Sequence, residues 1–189
     1  MTNNTGEDQF NPAIEIWQQP ERSPTKIKKL EKITIQIKPL TLKDSEAVYD
    51  LFSNKKVLKS YLERPIKEKS LTSGFIRRIT SEGNWTWKIY QENKPESFLG
   101  ICGLHHLDKK NRTIEIGGTL MPNYWGKGIM KQTFEFIIEI ARKDMEINRV
   151  IAKTSTRNKQ AIRLVEKLGF TITKSNETET HLLKTLTSE

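Results

Sequence analysis

The chain has 189 residues, 35% of them hydrophobic and 29% charged, with a formal net charge of +9 and a single cysteine. That length supports one full hydrophobic core and is short for two. No apolar run approaches the roughly 18 residues of a membrane span, and M-T-N-N-T-G-E-D-Q-F has neither the basic start nor the apolar core of a secretory signal. Cys102 alone cannot build a disulfide framework and suits a reducing cytoplasm; within F-L-G-I-C-G-L it is expected to be buried and inert. The basic balance favours acidic partners, whether nucleic acid, ribosome or polyphosphate cofactor. Its lysines are scattered, however, and the densest run, Lys26 to Lys32, is short. A solvated basic surface explains that charge without naming a partner.

Residues 1–30 are polar, carry prolines at 12, 20 and 24, and read as a mobile arm, with Ala13 to Trp17 able to pair as an edge strand. Ile33-Thr34-Ile35-Gln36-Ile37 alternates as a strand, and Leu42, Ala47, Val48, Leu51 and Phe52 suit an amphipathic helix. Short helices are expected over about 55–62 and 67–81, broken near Pro65. Three strands joined by tight turns follow: Trp85 to Tyr90, Ser97 to Leu107 and Thr113 to Met121. A helix from the glycine loop to about Lys143 buries Met130, Phe134, Ile137, Ile138 and Ala141. Asn148 to Ser155 reads as a strand and Ala161 to Leu168 as a helix capped by Gly169, before a closing strand pair. The order predicts a mixed α/β sheet with helices packed on it.

Glu115 to Met130, E-I-G-G-T-L-M-P-N-Y-W-G-K-G-I-M, joins a strand to a helix through a glycine loop. Unpaired N–H groups and the helix dipole make such a junction suited to phosphate. It is not a P-loop, because Lys127 sits between two glycines with no Ser or Thr after the second, and Lys131 spoils the Rossmann G-x-G-x-x-G. What remains is a short loop able to grip a pyrophosphate, backed by Lys127 and Lys131; an ordinary turn is the competing reading.

With the downstream segment N-K-Q-A-I-R-L-V-E-K-L-G-F, this stretch resembles the GNAT acyl-CoA N-acyltransferase superfamily, and more closely its RimJ/RimL-like branch, which acetylates ribosomal-protein amino termini. The resemblance covers about residues 33 to 175. It implies a mixed, mostly antiparallel central sheet of six to seven strands with helices on both faces, a GNAT domain over 31–189, and acetyl-CoA as co-substrate with no metal. The family's pyrophosphate loop falls on Trp125-Gly126-Lys127-Gly128-Ile129-Met130, with Trp125 in place of the usual Arg or Gln and Met130 in place of a small residue. The resemblance assigns cofactor binding to Gly126, Lys127, Gly128, Ile129, Met130 and Lys131 through main-chain N–H groups, with Gly128 as the motif's fixed glycine. It assigns thioester contact to Leu120 and Met121, and a further cofactor contact to Asn158, which also suits a helix N-cap.

Acetyl transfer needs a neutral amine, a polarised carbonyl and a leaving thiolate. Glu115 stands where some superfamily members place the general base, and strand alternation would put it on one side with Gly117, Thr119 and Met121. A solvated or ion-paired carboxylate is the competing reading. His105 and His106 are a second acid-base candidate, of which at most one can face a given pocket; His181 has less claim. The tyrosine that protonates thiolate in many relatives is replaced by Val165, and Tyr124 is expected to pack. The expectation is an acetyl-CoA-dependent N-acetyltransferase working by direct transfer in a ternary complex, cytoplasmic, without membrane or nucleic-acid partners, monomeric or homodimeric. Its acceptor is a primary amine, a protein amino terminus or a small molecule. The alternative is a catalytically silent CoA-binding module.

Overall fold

The computed structural model describes residues 25–30, 33–59 and 66–186, with side chains from residue 34 onward. The elements in chain order are β1 (Thr25–Leu30), β2 (Ile33–Pro39), α1 (Ser45–Ser53), α2 (Lys55–Leu58), α3 (Thr72–Ile79), β3 (Trp85–Gln91), β4 (Gly100–Asp108), β5 (Thr113–Leu120), α4 (Ile129–Lys143), β6 (Arg149–Ser155), α5 (Lys159–Glu166), β7 (Thr171–Ser175) and β8 (Glu179–Thr185). The eight strands form one sheet in the order β1-β2-β3-β4-β5-β6-β8-β7. Every pairing is antiparallel except β5 with β6, which α4 joins as a crossover.

The sheet has one strand more than the resemblance implies. Residues 25–30, expected in the arm, pair with β2 through Thr25↔Ile37 and Ile27↔Ile35, so the folded unit begins before residue 31. The strand expected over Ala13 to Trp17 lies outside the described residues, as does the break expected near Pro65. Within the described residues, the helix expected over 55–62 is α2, Lys55–Leu58, and that expected over 67–81 is a 3-10 turn, Lys69–Leu71, running into α3, Thr72–Ile79.

Alternation along the strands divides the core in two. One sheet face carries Ile89, Cys102, Leu104, Ile114, Ile116 and Leu120, packed with Phe134, Ile137 and Ile138 of α4 and Val165 of α5. The opposite face, through Ile101, meets Val48, Leu51 and Phe52 of α1, Val57 of α2 and Ile76 of α3. Burial pushes the Cys102 thiol far above its ordinary pKa, so the cysteine is an inert core residue, as its apolar setting indicates.

A buried ion pair seats the second helical layer. Asp44, at the foot of α1, places Oδ1 2.6 Å from Lys88 Nζ on β3, while Oδ2 accepts from the Thr41 N–H at 2.9 Å and its hydroxyl at 3.1 Å. Burial alone would push this carboxyl's pKa up; the Lys88 ammonium and the Thr41 donors outweigh it and hold the group below the ordinary carboxylate range. A depressed pKa contributes stability above the unfolded-state value, and that contribution is lost as pH falls through the folded value. Asp44→Ala, which strands the Lys88 charge in the core, is therefore expected to cost about 3–5 kcal/mol at neutral pH. In urea titrations that deficit should shrink as the pH falls below the ordinary carboxylate pKa of about 4; a deficit independent of pH would show that the ion pair is not its source.

Candidate active site

Strand β5 runs on to Leu120 and β6 to Ser155, yet their ladder holds only Thr113↔Arg149, Ile114↔Val150, Glu115↔Ile151 and Ile116↔Ala152. Beyond Ile116 and Ala152 the two parallel strands part, leaving the β6-facing edge of Gly117 to Leu120 unladdered. On the other edge β5 stays paired with β4 through Gly117↔Gly103, Thr119↔Ile101 and Leu120↔Gly100. The Met121 N–H donates to the Leu99 carbonyl at 2.8 Å, which turns it toward β4. Strand alternation then turns the Leu120 N–H toward the parted side. The Leu120 carbonyl on that side accepts from the Trp125 indole N–H at 2.8 Å. Of the two residues expected to present an N–H to a thioester, only Leu120 has that group turned to the parted side; the Met121 side chain packs with the second core cluster.

A short 3-10 turn, Pro122–Tyr124, carries the chain from β5 into the glycine loop. Gly126 and Gly128 have φ of 73° and 72°, the left-handed region where a Cβ is disfavoured. Gly128 is the N-cap of α4 and offers no side-chain cap; the first helical bond is Gln132 N–H to the Gly128 carbonyl at 3.2 Å. The N–H groups of Ile129, Met130 and Lys131 therefore lack intrahelical acceptors and project from the positive end of a 15-residue helix. A Cβ built on Gly126 meets nothing within 4 Å, so the loop is open on its outer side. Met130 locks this turn in place: its Sδ lies 3.1 Å from where a Cβ of Gly118 would stand, so its side chain rests on β5. The departure from a small residue at position 130 thus serves packing and leaves the backbone N–H outward. Lys127 Nζ lies 5.4 Å from the Tyr124 ring centroid and so stays at the loop, whereas Lys131 pairs with Glu135 at 3.0 Å, one turn further along α4.

Asn158 caps α5, its Oδ1 accepting from the Ala161 N–H at 3.1 Å. Val165 is buried in the core on that helix, which leaves no hydroxyl at the position many relatives give to tyrosine. Tyr124 packs against the same cluster.

Glu115 is half-buried on the sheet face opposite α4, aligned with Gly117 and Thr119 as the alternation predicts. Its carboxylate is ion-paired with Lys153 Nζ at 2.7 Å, a partner supplied by β6 at the point where the strands part. His105, the cross-strand partner of Glu115, lies on this face, while His106 is exposed in a bulge with φ of 54°. His181 pairs with Glu179 at 2.8 Å on β8. A cleft of about 560 Å³ opens beside Met121 to Tyr124, bounded on its far side by Phe98, Asn54, Lys55 and Lys56. The charged residues of its lining are both lysines. Neither Lys153 nor this lysine wall was apparent from sequence, since neither stands in a motif and both come near β5 only through the fold.

A strand pair that opens beside a glycine-capped helix is what a thioester arm with a pyrophosphate requires: a slot for the arm and N–H donors for the phosphates. The family model described as an acetyltransferase (GNAT) domain matches residues 34–171. The chain belongs to the GNAT acetyltransferase family. It is 26% identical over 143 residues to an uncharacterised N-acetyltransferase, p20, of Bacillus licheniformis, covering 74% of this chain and 79% of that one. The ribosomal-protein-serine acetyltransferase of Escherichia coli (strain K12) is 25% identical over 83 residues, covering 44% and 46%. Among solved structures, the RimL ribosomal L7/L12 alpha-N-protein acetyltransferase in complex with coenzyme A superposes with a TM-score of 0.71 at 16% identity, over 85% of this chain and 98% of that one. The RimJ/RimL-like resemblance therefore holds, and this GNAT protein is an acetyl-CoA-dependent N-acetyltransferase.

If the Gly128 N–H and the first turn of α4 hold pyrophosphate, bulk at that glycine should weaken cofactor binding. Gly128→Val is expected to reduce acetyl-CoA affinity at least tenfold by calorimetry, because a β-branched residue resists positive φ. Unchanged affinity in a folded variant would remove the loop from the site.

Proposed function

We propose that this N-acetyltransferase acetylates a protein amino-terminal amine in the cytoplasm, by direct transfer within a ternary complex. The observation that carries the reading is the parting of β5 from β6 beside the α4 N-terminus, with a cleft just past the same strand end, between Met121 to Tyr124 and α2. One slot can admit the cofactor's arm while the other admits the acceptor, so both can be present together without a covalent enzyme intermediate.

The cofactor is acetyl-CoA, which supplies a thioester-activated acetyl group. In this reading Gly126 to Lys131 hold its pyrophosphate, Asn158 flanks the parted strands from the α5 side, and the Leu120 N–H faces the place where charge would develop on the carbonyl oxygen. Trp125 orients that amide by fixing the adjoining carbonyl. The Val165 position offers no acid, so the departing thiolate, an ordinary leaving group with a pKa near ~8.5, takes its proton from water.

Glu115 is the carboxylate we assign to proton removal from the acceptor, directly or through an intervening group, with Lys153 holding it on the acceptor face. An α-amine, with a pKa near ~8, gives up its proton more readily than a lysine near ~10.4. The lysine wall points the same way. Lys55 and Lys56 would repel a polyamine and attract a peptide whose residues behind the reacting amine are acidic. The names of the RimL structure and the ribosomal-protein-serine acetyltransferase support a protein acceptor.

Thiol release with acetyl-CoA should be faster on peptides with acidic residues at positions two to four than on basic peptides or spermidine. Lys55→Glu/Lys56→Glu should reverse that order, and Glu115→Gln should lower kcat by about 100-fold. Equal rates across the panel would refute the acceptor assignment, and CoA binding without turnover on any amine would favour a silent CoA-binding module.

A further inference from the structure

The acceptor face of β4 and β5 contains an imidazole seated between two glycines. A Cβ built on Gly103 would lie 2.4 Å from His105 Nε2 and 2.6 Å from Cε1; one built on Gly117 would lie 3.7 Å from Cδ2. Gly103 and Gly117 are direct cross-strand partners, as are His105 and Glu115. The ring therefore leans from its own register position across the neighbouring glycine pair. Any side chain at 103 would displace it, since the ring and the Trp85 carbonyl oxygen, 2.8 Å from that Cβ position, already fill the space.

The direction of that lean decides its meaning. From Glu115, β5 runs through Gly117 and Thr119 to Leu120, and Gly117 is the first residue beyond the last β5–β6 ladder pair. At about 3.3 Å per residue, Glu115 lies roughly 16 Å of strand from Leu120, and Gly117 roughly 10 Å. The carboxylate is further drawn to Lys153 on β6. His105 thus holds an ionisable ring two strand positions nearer the acyl-transfer end than its carboxylate neighbour, on the same sheet face. His106 shares none of this: it is exposed, its ring centroid is 6.5 Å from that of His105, and its backbone N–H donates to Asn84 Oδ1 at 3.1 Å.

We propose that His105 is the base that receives the acceptor ammonium's proton through water lying over the strand between Gly117 and Leu120, while Glu115 behind it stabilises the imidazolium. The assignment rests on the acetyltransferase reading above and names the intervening group left open there. The acceptor enters as an ammonium and gives one proton, relayed by water, to the imidazole, which frees the nitrogen lone pair. The C–N bond then forms and the C–S bond breaks, its electron pair leaving on sulfur. The second amine proton is lost to water, the thiolate takes one proton, and His105 returns its own to solvent, so one proton is released per turnover.

The test combines kinetics with a spectroscopic readout. His105→Gln and His105→Asn should lower kcat about 100-fold on an amino-terminal peptide while leaving the melting temperature and acetyl-CoA affinity unchanged. The deficit should shrink to within a few-fold on the corresponding hydrazide, which is neutral at neutral pH and needs no prior deprotonation. In protein labelled at histidine Cε1, the His105 signal should shift when the peptide is added to the CoA complex, and His106→Asn should match wild type in rate. Equal losses on peptide and hydrazide, wild-type rates in both His105 variants, or an unmoved His105 signal would overturn the assignment. A wild-type protein that binds acetyl-CoA but turns over no amine would overturn the acetyltransferase reading, and this assignment with it.

Discussion

The site depends on where one parallel ladder ends. Between β5 and β6 the hydrogen-bonded register stops at Ile116 and Ala152, although both strands continue. A parallel pair needs a crossover, and α4 supplies it, so the helix that spans the gap also brings its N-terminus to the open end. The parted strands and the glycine-capped turn are therefore consequences of one connection. Met130, resting on Gly118, fixes the first turn of α4 against β5 at that point, and the Trp125 indole fixes the Leu120 carbonyl.

The two faces of the sheet divide the work. The α4 face is apolar and provides rigidity through Leu104, Ile114, Ile116 and the stripe of α4. The opposite face is apolar only under α1 to α3 and becomes charged toward β5 and β6, where Glu115 meets Lys153. An ion pair across the fork joins the last stretch of ladder to the first unladdered residue of β6. It limits how far the fork can run toward the strand starts, and it holds a carboxylate on the face from which an acceptor would approach. The Asp44–Lys88 pair does comparable work under α1, seating the wall that carries Lys55 and Lys56.

Much of this architecture was legible in sequence because periodicity and glycine placement leave strong local signals. The burial of Met130, Phe134, Ile137, Ile138 and Ala141 follows from the 3.6-residue repeat, and the positive φ at Gly126 and Gly128 from the need for a tight entry into a helix. Two kinds of feature escaped. Strand β1 lies in a lysine-rich stretch that reads as polar, and what makes it a strand is the available edge of β2, a tertiary fact. The partners of Glu115 escaped for the same reason: a ladder that joins residues 105 to 115 and 115 to 151 sets His105 and Lys153 beside it. A single sequence gives alternation within a strand and no register between strands. The orientation of Met121 was likewise hidden, since the side to which an amide points depends on that register.

The central claim is that the fork and the α4 turn form one cofactor site. Amide hydrogen exchange with and without acetyl-CoA tests it most directly. Binding should slow exchange at Leu120 and at Ile129, Met130 and Lys131, while the amide of Met121, bonded to Leu99 in both states, stays unchanged. Protection confined to other segments, or equal exchange in the presence of saturating acetyl-CoA, would contradict it.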